Sequence, residues 1–339
     1  MNMPILEDVD LQAFNTLALP ARARHFIRIE NYTQLRESVS WAQQHDLPLL
    51  VLGGGSNVVL RGDWPGLVLQ IALPGKFVEL FDDCAEITVG AGENWHELVQ
   101  WTLQQNLYGL ENLTLIPGTV GAAPIQNIGA YGVELAEFVH VVRGYSLDQQ
   151  RSVELNAAEC RLGYRDSIFK HELRDRFIIT AVVLRLRTEF VPVLSYPALQ
   201  QQLQGREVVS AVEVEQAVRA IRQSKLPNPT LLPNAGSFFK NPVITHDRLA
   251  ELMQSYADIP HFPAPGGDAK VPAAWLVDRC GWKGKRNGHV GIHDQQALVM
   301  INYGDGTGAE LLGLAQQVRD DVLDRFDIEL ELEPTVYGA

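Results

Sequence analysis

Residues 116–132 form the stretch whose composition points most directly to chemistry. They read IPGTVGAAPIQNIGAYG and contain four glycines and two prolines among small apolar residues, without a helical or alternating period. Glycine allows positive φ and close backbone approach, whereas proline fixes φ and removes a donor, so this chain must follow a defined irregular path. Its backbone N–H and C=O groups need partners, which a large, flat, polar ligand could supply. We therefore predict a cradle for a planar cofactor.

A second glycine-rich stretch, residues 53–57, reads GGGSN and directly follows the apolar run Leu49–Leu52. Free N–H groups at the tip of such a loop can hold phosphate, and a plain glycine turn is the alternative. The stretch lacks the third glycine of GxGxxG, and GxxxxGK[ST] occurs nowhere in the sequence. Neither standard nucleotide signature therefore decides between the two interpretations.

Three other segments concentrate polar side chains. Residues 161–167, RLGYRDS, carry two arginines and suit either an anion or a solvated loop with local ion pairs. Residues 234–242, NAGSFFKNP, place a hydroxyl, a lysine and two asparagines beside two aromatic residues, although a serine there could simply cap a turn. A basic cluster could receive phosphates or form a solvated face. It consists of Lys283, Lys285, Arg286 and His289.

The elements that must position these residues follow from hydrophobic periodicity, which predicts an α+β chain. The predicted strands are Phe26–Ile29, Leu49–Leu52, Ile87–Val89, Val139–Tyr145, Arg151–Leu155, Phe177–Leu186, Val290–Ile292, Ala297–Asn302 and Ile328–Glu333. The predicted helices are one around Leu35, Val39 and Ala42, then Glu93–Gln105, Val212–Gln223, Ala273–Cys280 and Gly308–Arg325. A domain boundary is expected near residues 190–230, where prolines and glutamines interrupt the pattern.

Composition excludes several classes of protein. A length of 339 residues suggests roughly two to three domains, and 28 basic against 41 acidic residues give a net charge of -13, which opposes broad binding to nucleic acid or anionic membranes. The three cysteines are widely spaced and form no CxxC, so we expect no disulfide framework, no metal site and a reducing cytoplasm. The N-terminus has no signal-peptide pattern and no apolar run reaches about 18 residues, so neither secretion nor membrane insertion is expected.

With these segments in view, nearly the whole chain resembles the UDP-N-acetylenolpyruvoylglucosamine reductase (UDP-N-acetylmuramate dehydrogenase) family of bacterial peptidoglycan synthesis. The resemblance rests on an ordered set of words: Asn15-Thr16, GGGSN, IPGTVGAAPIQNIGAYG, GYRDS, KLPNP, NAGSFFKNP, HDQQALV and LEP. Ser195-Tyr196-Pro197 is similar to the longer, type I form.

The resemblance implies a FAD-binding two-subdomain fold of the PCMH/vanillyl-alcohol-oxidase type plus an α+β substrate-binding domain. Residues 1–70 and 71–225 would be the two FAD-binding subdomains, 226–327 the substrate-binding domain, and 328–339 a C-terminal tail returning to the active site. It further implies non-covalent FAD, NADPH as co-substrate, UDP-N-acetylglucosamine enolpyruvate as substrate, and a cytoplasmic monomer.

The resemblance also assigns site residues. The implied cofactor-binding residues are Gly53, Gly54, Gly55, Ser56, Asn57, Pro117, Gly118, Thr119, Gly121, Ala122, Ile125, Gln126, Asn127, Gly129, Ala130, Tyr131 and Arg222. The implied substrate-binding residues are Tyr164, Tyr196, Lys225, Asn241 and Gln296, with Lys240 and the basic cluster as further candidates for the UDP diphosphate.

Three residues would carry the reaction, in which hydride passes from NADPH to FAD and from reduced flavin to C3 of the enolpyruvyl ether. Negative charge then spreads from C2 onto the carboxylate, and the planar guanidinium of Arg165 suits that charge. Ser237 occupies the family's position for the general acid that protonates C2, and Glu333 would act with Arg165 in stabilising and protonating the intermediate.

Two other functions remain open in principle. A carbohydrate or alcohol oxidase on the same fold would use oxygen and often a covalent flavin–histidine bond, but GYRDS and NAGSFFKNP argue against it. An inactive nucleotide-sugar-binding protein would lack a member of the trio Arg165, Ser237 and Glu333, and all three are present.

Overall fold

Two units divide the chain, and each is assembled from segments that are not contiguous in sequence. The computed structural model describes residues 4–206 and 208–338. The first unit takes the N-terminal segment up to Val9, Ala23–Gly55 and Trp64–Ser224, and the second takes Asp10–Arg22, Ser56–Asp63 and the chain from Lys225 onwards.

The elements are numbered in chain order. The strands are β1 Leu6–Asp10, β2 Arg22–Ile29, β3 Leu49–Leu52, β4 Val58–Leu60, β5 Trp64–Ile71, β6 Lys76–Leu80, β7 Cys84–Gly90, β8 Gly129–Ala130, β9 Val133–Glu134, β10 Val139–Ser146, β11 Arg151–Asn156, β12 Phe177–Arg187, β13 Asn234–Ser237, β14 Val243–Ile244, β15 Phe262–Pro263, β16 Ala269–Lys270, β17 Arg286–Asn287, β18 Val290–Ile292, β19 Val299–Asn302 and β20 Thr335–Tyr337. The helices are α1 Tyr32–Gln44, α2 Trp95–Gln104, α3 Pro197–Gln202, α4 Ala211–Lys225, α5 His246–Ser255, α6 Ala273–Arg279 and α7 Gly308–Phe326.

The first unit begins with a sheet in the order β1-β2-β5-β3, in which β5 runs parallel to both β2 and β3. The predicted strand–helix–strand segment is confirmed by β2, α1 and β3. Strand β5 was not predicted; Pro65 and Gly66, which are uncommon inside strands, lie near its start. Its centre is nevertheless an unbroken buried run, as expected for a parallel strand covered on both faces.

The second sheet of the first unit is antiparallel, in the order β11-β10-β12-β7-β6. Its predicted strands are confirmed, and β12 pairs with β10 on one side and β7 on the other. The helix predicted from Glu93 begins at Trp95, because Asn94 adopts an extended conformation and its side chain accepts a hydrogen bond from Glu97 N at 3.0 Å. Strand β7 therefore leads directly into a capped α2.

The second unit contains a sheet in the order β13-β19-β18-β17, a small sheet β14-β16-β15, and a parallel pair of β20 with β4. Helix α7 has 19 residues and starts with a capping box between Thr307 and Glu310. Its buried residues join Phe238 and Phe239 in the hydrophobic core of this unit. The α+β prediction is confirmed in both units.

The predicted strand Ile328–Glu333 is wrong. Ile328 and Leu330 are buried, which explains the alternating pattern, but this segment makes only a single bridge, from Leu332 to Phe239, among the residues described. The strand forms later, where Thr335–Tyr337 pairs with Val58–Leu60. Alternation reveals an extended, half-buried chain, whereas a strand also needs a neighbour that a local pattern cannot identify.

Across residues 4–206 and 208–338, each helix is too short or too polar to span a lipid bilayer.

Candidate active site

In the first unit, Gly53 and Gly54 lie against the 116–132 stretch. A Cβ added to Gly53 would lie 2.4 Å from Thr119 Oγ1, and one added to Gly54 would lie 3.1 Å from Gly118 Cα. Gly55 has a φ of +62°, which also favours glycine. Close backbone approach therefore explains the glycine run, and it brings together residues predicted separately as phosphate and cofactor contacts.

Backbone hydrogen bonds hold the start of the 116–132 stretch against the chain before α2. Val120 N donates to Glu93 O and Gly121 N to Ala91 O, both at 2.9 Å, and Trp95 N donates to Gly118 O at 3.1 Å. A Cβ on Gly121 would lie 2.5 Å from Ala91 Cβ. The irregular path is thus set by the protein itself, and Pro117, Ala122, Ile125, Gln126 and Ala130 follow along the same path.

Tyr131 projects from a tight hairpin in which β8 pairs with β9. Tyr131 and Gly132 have φ values of +51° and +86°, as in a type I′ turn. The Tyr131 ring centroid lies 5.0 Å from that of Tyr196, edge to face, and Tyr196 is 41% exposed. Burial raises the pKa of the Tyr131 hydroxyl, against the opposing charge of Arg222. The hairpin therefore presents an aromatic pair beside a cation.

Arg165 belongs to a pair of loops, residues 125–129 and 163–167, which we call the paired loops. Three side chains bond to backbone carbonyls across them: Arg165 Nη2 to Gly129 O at 2.7 Å, Asn127 Nδ2 to Gly163 O at 2.9 Å, and Ser167 Oγ to Ile125 O at 2.6 Å. Arg165 has a φ of +52°, an uncommon value for a residue with a side chain, and its guanidinium lies 5.6 Å from the Tyr164 ring.

Asn127 is the buried centre of the paired loops, at 1% exposure. Its Nδ2 also donates to Glu134 Oε2 at 2.9 Å, and its Oδ1 accepts from Ala136 N at 2.8 Å. The side-chain amide thus bonds within the protein on both its donor and acceptor sides. Its geometry is that of a residue that holds the backbone of the two loops in place.

Arg222 lies on α4, and its side chain indicates whether the site suits a cofactor. Its Nε is buried and makes no hydrogen bond to the residues that the structure describes. Burial lowers the pKa of its guanidinium, and the nearby charge of Arg165 acts in the same direction. A cation whose Nε is buried without a partner needs an acceptor there, and the carbonyl-rich ring of a flavin would supply one. The residues present therefore fit FAD.

In the second unit, the chain around Ser237 lies beside the C-terminal segment. Ser237 ends β13 opposite Val299, and the next residue, Phe238, accepts a hydrogen bond from Glu333 N at 2.9 Å. Asn57 Nδ2 donates to Glu333 O at 3.3 Å, and Thr335 N donates to Asn57 O at 3.0 Å. Main-chain bonds and one bond from the Asn57 side chain thus bring together Ser237, Glu333 and Asn57, next to Ser56.

The remaining predicted substrate residues are more dispersed. Asn241 Oδ1 accepts from Ala273 N at 2.9 Å and so caps α6. Lys225 is the exposed last residue of α4, and Gln296 lies in the turn before β19. The further UDP candidates have local partners: Lys240 pairs with Glu331 at 2.8 Å, Lys283 with Asp278 at 3.8 Å, and Lys285 and Arg286 lie over the Trp282 and Tyr303 rings at 4.5 and 4.4 Å.

Sequence reasoning missed a polar chain in the first unit, made by the buried Thr114 and Glu215 and the partly buried His96 and Arg219. Thr114 Oγ1 donates to Glu215 Oε1 at 2.7 Å across 101 positions of sequence. The spacing of Glu215 and Arg219 by four residues could have suggested their ion pair, but no local signal points to Thr114. Among the described residues, no group of three or more His, Cys, Asp or Glu side chains could hold a metal ion.

Comparison with known proteins identifies the family. Residues 23–147 match the FAD binding domain family, and residues 228–337 match the family "UDP-N-acetylenolpyruvoylglucosamine reductase, C-terminal domain". The chain is 46% identical over 340 residues to the UDP-N-acetylenolpyruvoylglucosamine reductase of Chromobacterium violaceum, covering 99% of this chain and 100% of the relative. It is 48% identical over 326 residues to that of Cupriavidus pinatubonensis, covering 96% and 97%.

A solved structure agrees over the full length. The UDP-N-acetylenolpyruvylglucosamine reductase from Thermus caldophilus aligns with a TM-score of 0.69 at 25% identity and covers 100% of both chains. The predicted FAD-binding α+β fold is confirmed by these matches. The chain belongs to the UDP-N-acetylenolpyruvoylglucosamine reductase family.

Proposed function

We infer that this protein is an FAD-containing oxidoreductase that reduces UDP-N-acetylglucosamine enolpyruvate to UDP-N-acetylmuramate, with NADPH as reductant. This inference rests on the match to the Chromobacterium violaceum reductase, which covers 99% of this chain and 100% of the relative. The reaction places the protein in peptidoglycan precursor synthesis, and hence in cell-wall biogenesis, cell shape and cell division.

The residues proposed to hold FAD without a covalent bond are the glycines at 53–55, the residues that follow them, the 117–131 path and Arg222. Thr119 and the backbone around it would meet the pyrophosphate, and Arg222 would supply its buried donor to the flavin ring. Bound FAD supplies a carrier that accepts hydride from NADPH and delivers it to the enolpyruvyl group.

Arg165 is proposed to bind the carboxylate of the substrate. Negative charge on that carboxylate grows as C3 is reduced, so a fixed cation stabilises the transition state more than the ground state. The bond from Nη2 to Gly129 O and the contact with the Tyr164 ring orient the guanidinium before substrate arrives. Its charge is thus placed in advance by the paired loops.

Ser237 is proposed to hold the proton that C2 receives, and Glu333 to assist in stabilising and protonating the substrate at that stage. A hydroxyl is a weak acid, but a carbon that carries negative charge is a strong base, which makes the transfer feasible. The main chain at Phe238 positions both residues. Ser237 directly precedes Phe238, and Glu333 N donates a hydrogen bond to Phe238 O. Tyr164, Tyr196, Lys225, Asn241 and Gln296 are proposed substrate contacts.

The domain assignment is also a proposal: residues 1–70 and 71–225 serve FAD, 226–327 serve substrate, and 328–339 contribute Glu333. Asp10–Arg22 and Ser56–Asp63 pack with the second unit, so continuous ranges do not follow the structural division. We further propose a cytoplasmic monomer that binds neither nucleic acid nor membrane.

Half-reaction spectroscopy tests this function. Purified protein should be yellow, bleach with NADPH under anaerobic conditions, and regain colour when UDP-N-acetylglucosamine enolpyruvate is added. A colourless preparation that cannot be reconstituted with FAD would refute the proposal.

Replacing the proposed proton donor tests the assignment of roles. Ser237→Ala should leave flavin reduction by NADPH nearly unchanged and slow the enolpyruvyl half-reaction by about 10²- to 10⁴-fold. The matched control is Ser255→Ala, at the exposed end of α5 in the same unit, and it should change neither half. Equal loss in both half-reactions of Ser237→Ala would contradict the role.

A further inference from the structure

A buried polar chain joins helix α4 to the chain that leads into the 116–132 stretch. Glu215 is 3% exposed, and its Oε1 accepts from Thr114 Oγ1 at 2.7 Å and from Arg219 Nε and Nη2 at 3.0 and 2.6 Å. Thr114 is fully buried. A buried carboxylate depends on such partners, because its desolvation is costly unless donors replace water.

The Thr114 end of this polar chain lies at the start of the 116–132 stretch. The next residue, Leu115, has a φ of +55°, which is unfavourable for a residue with a Cβ. Its N–H donates to His96 Nδ1 at 3.2 Å, and Thr114 Oγ1 lies 3.1 Å from the same nitrogen. Side chains from α2 and α4 therefore force the strained turn just before Ile116.

The Glu215 end of the polar chain lies on the same face of α4 as Arg222. Glu215, Arg219 and Arg222 are spaced by four and three residues and so share one face of α4. Arg222 has the buried, unpartnered Nε, and the positive charges of Arg165 and Arg219 belong to the same unit. Glu215 is the buried carboxylate that bonds to Arg219 on this face, so its loss removes the counter-charge of Arg219 and the link to Thr114 together.

We propose that Glu215 is a positioning residue for FAD, which holds Arg222 and residues 114–119 in the arrangement that the bound cofactor requires. The proposal rests on the proposed function, because it assumes that FAD occupies this site. Glu215 acts through Thr114 and Arg219. Its role is therefore distinct from that of the residues proposed to touch FAD.

Four variants of the holoenzyme test the proposal by FAD dissociation on dilution, followed by flavin fluorescence. Glu215→Gln keeps the shape and removes the charge, and Thr114→Val keeps the shape and removes the hydroxyl. Both should weaken FAD binding by about tenfold or more, since Glu215→Gln removes the charge that strengthens these buried bonds and Thr114→Val removes the bond to the carboxylate. Thr114→Ser keeps the hydroxyl and should stay within about threefold of wild type. Glu213→Gln, which changes a partly exposed carboxylate paired with Arg206 on the same helix, should also do so.

The midpoint potential of the bound flavin separates positioning from general stability. A cation near the flavin stabilises its reduced, more negative form, so displacing Arg222 should lower the potential in Thr114→Val and leave it unchanged in Thr114→Ser. A purely structural role would instead lower the melting temperature while FAD affinity and potential stayed at wild-type values. That result in both Glu215→Gln and Thr114→Val would overturn the proposal.

FAD binding by the wild-type protein separates failure of the proposed function from failure of the positioning role. Wild-type protein that binds no FAD would overturn the proposed function and the positioning role with it. Wild-type protein that binds FAD, together with Glu215→Gln and Thr114→Val proteins that bind it equally well, would overturn the positioning role alone.

Discussion

The paired loops of the first unit and the Ser237 segment of the second hold their proposed reaction residues in different ways. In the paired loops, the side chains of Asn127, Arg165 and Ser167 bond to carbonyls across 36 to 42 positions of sequence. In the second unit, β13 pairs with β19 and the main chain of Glu333 bonds to Phe238, so the backbone places Ser237 and Glu333.

Because of this difference, substitutions in the two regions should affect activity and stability in different proportions. A side chain in the paired loops both shapes the site and stabilises the fold, so substitutions there should affect activity and stability together. The side chains of Ser237 and Glu333 are not needed for the bonds that place their backbone. Their substitution should therefore leave these main-chain bonds in place and change the reaction more than the stability of the fold.

The largest expected effect tests the second unit. Glu333→Gln should slow the enolpyruvyl half-reaction by about 10²-fold or more, because an acid–base group is replaced by an amide of the same shape. The free energy of unfolding, measured with urea, should fall by no more than about 1 kcal/mol, because the main-chain bonds that place Glu333 remain. Glu331→Gln is the matched control: this carboxylate is exposed, pairs with Lys240 and should be neutral in both measurements. A large loss of stability in Glu333→Gln would break the comparison.

The next effect tests the first unit. Asn127→Ala should lower the free energy of unfolding by roughly 3 kcal/mol, because several buried partners lose their bonds, and should also slow the enolpyruvyl half-reaction. Asn241→Ala in the second unit loses one helix-capping bond. It should lower the free energy of unfolding by only about 1 kcal/mol. Urea unfolding and half-reaction kinetics measure the two consequences, and similar stability losses for the two asparagines would contradict the distinction.

Thiol labelling gives Asn127→Ala a second measurement. Burial raises the pKa of the Cys160 thiol to about 12, and Cys160 O accepts a hydrogen bond from Ile168 N just after the paired loops. The native thiol should therefore resist alkylation at pH 8, since only the thiolate reacts. Faster labelling in Asn127→Ala would report opening of this region, whereas unchanged labelling would show that Asn127 does not hold it closed.

The smallest effect is a pH dependence in the first unit. Burial lowers the pKa of His96, Arg219 and Arg222 act in the same direction, and Glu215 and Glu97 oppose them. Above the ordinary histidine pKa of about 6.5 both folded and unfolded states are neutral, and below it the unfolded state takes up the proton more readily, so stability falls.

His96→Gln should reduce this decline in the free energy of unfolding between pH 7 and pH 5.5. His246→Gln, at an exposed position in the second unit, is the control and should retain the wild-type slope. Identical slopes for wild type and His96→Gln would exclude His96 as the source.

Much of the fold follows from local pattern. Helices α1, α2, α4, α6 and α7 and most longer strands lie where periodicity predicts them, because each buries one recurring face. Strand β5 and the C-terminal pairing were missed or misplaced, since both depend on distant neighbours: β5 lies between β2 and β3, and β20 pairs with β4.

Eight ordered words in the amino-acid sequence are enough to assign the family, and the composition of residues 116–132 is enough to predict an irregular, glycine-dependent path. Tertiary structure decided how that path is held. A hydroxyl at Thr114 meets a carboxylate at Glu215, and an amide at Asn127 meets a carbonyl at Gly163, across 101 and 36 positions. Such bonds depend on distance and direction in space, and no local spacing of residue types encodes them.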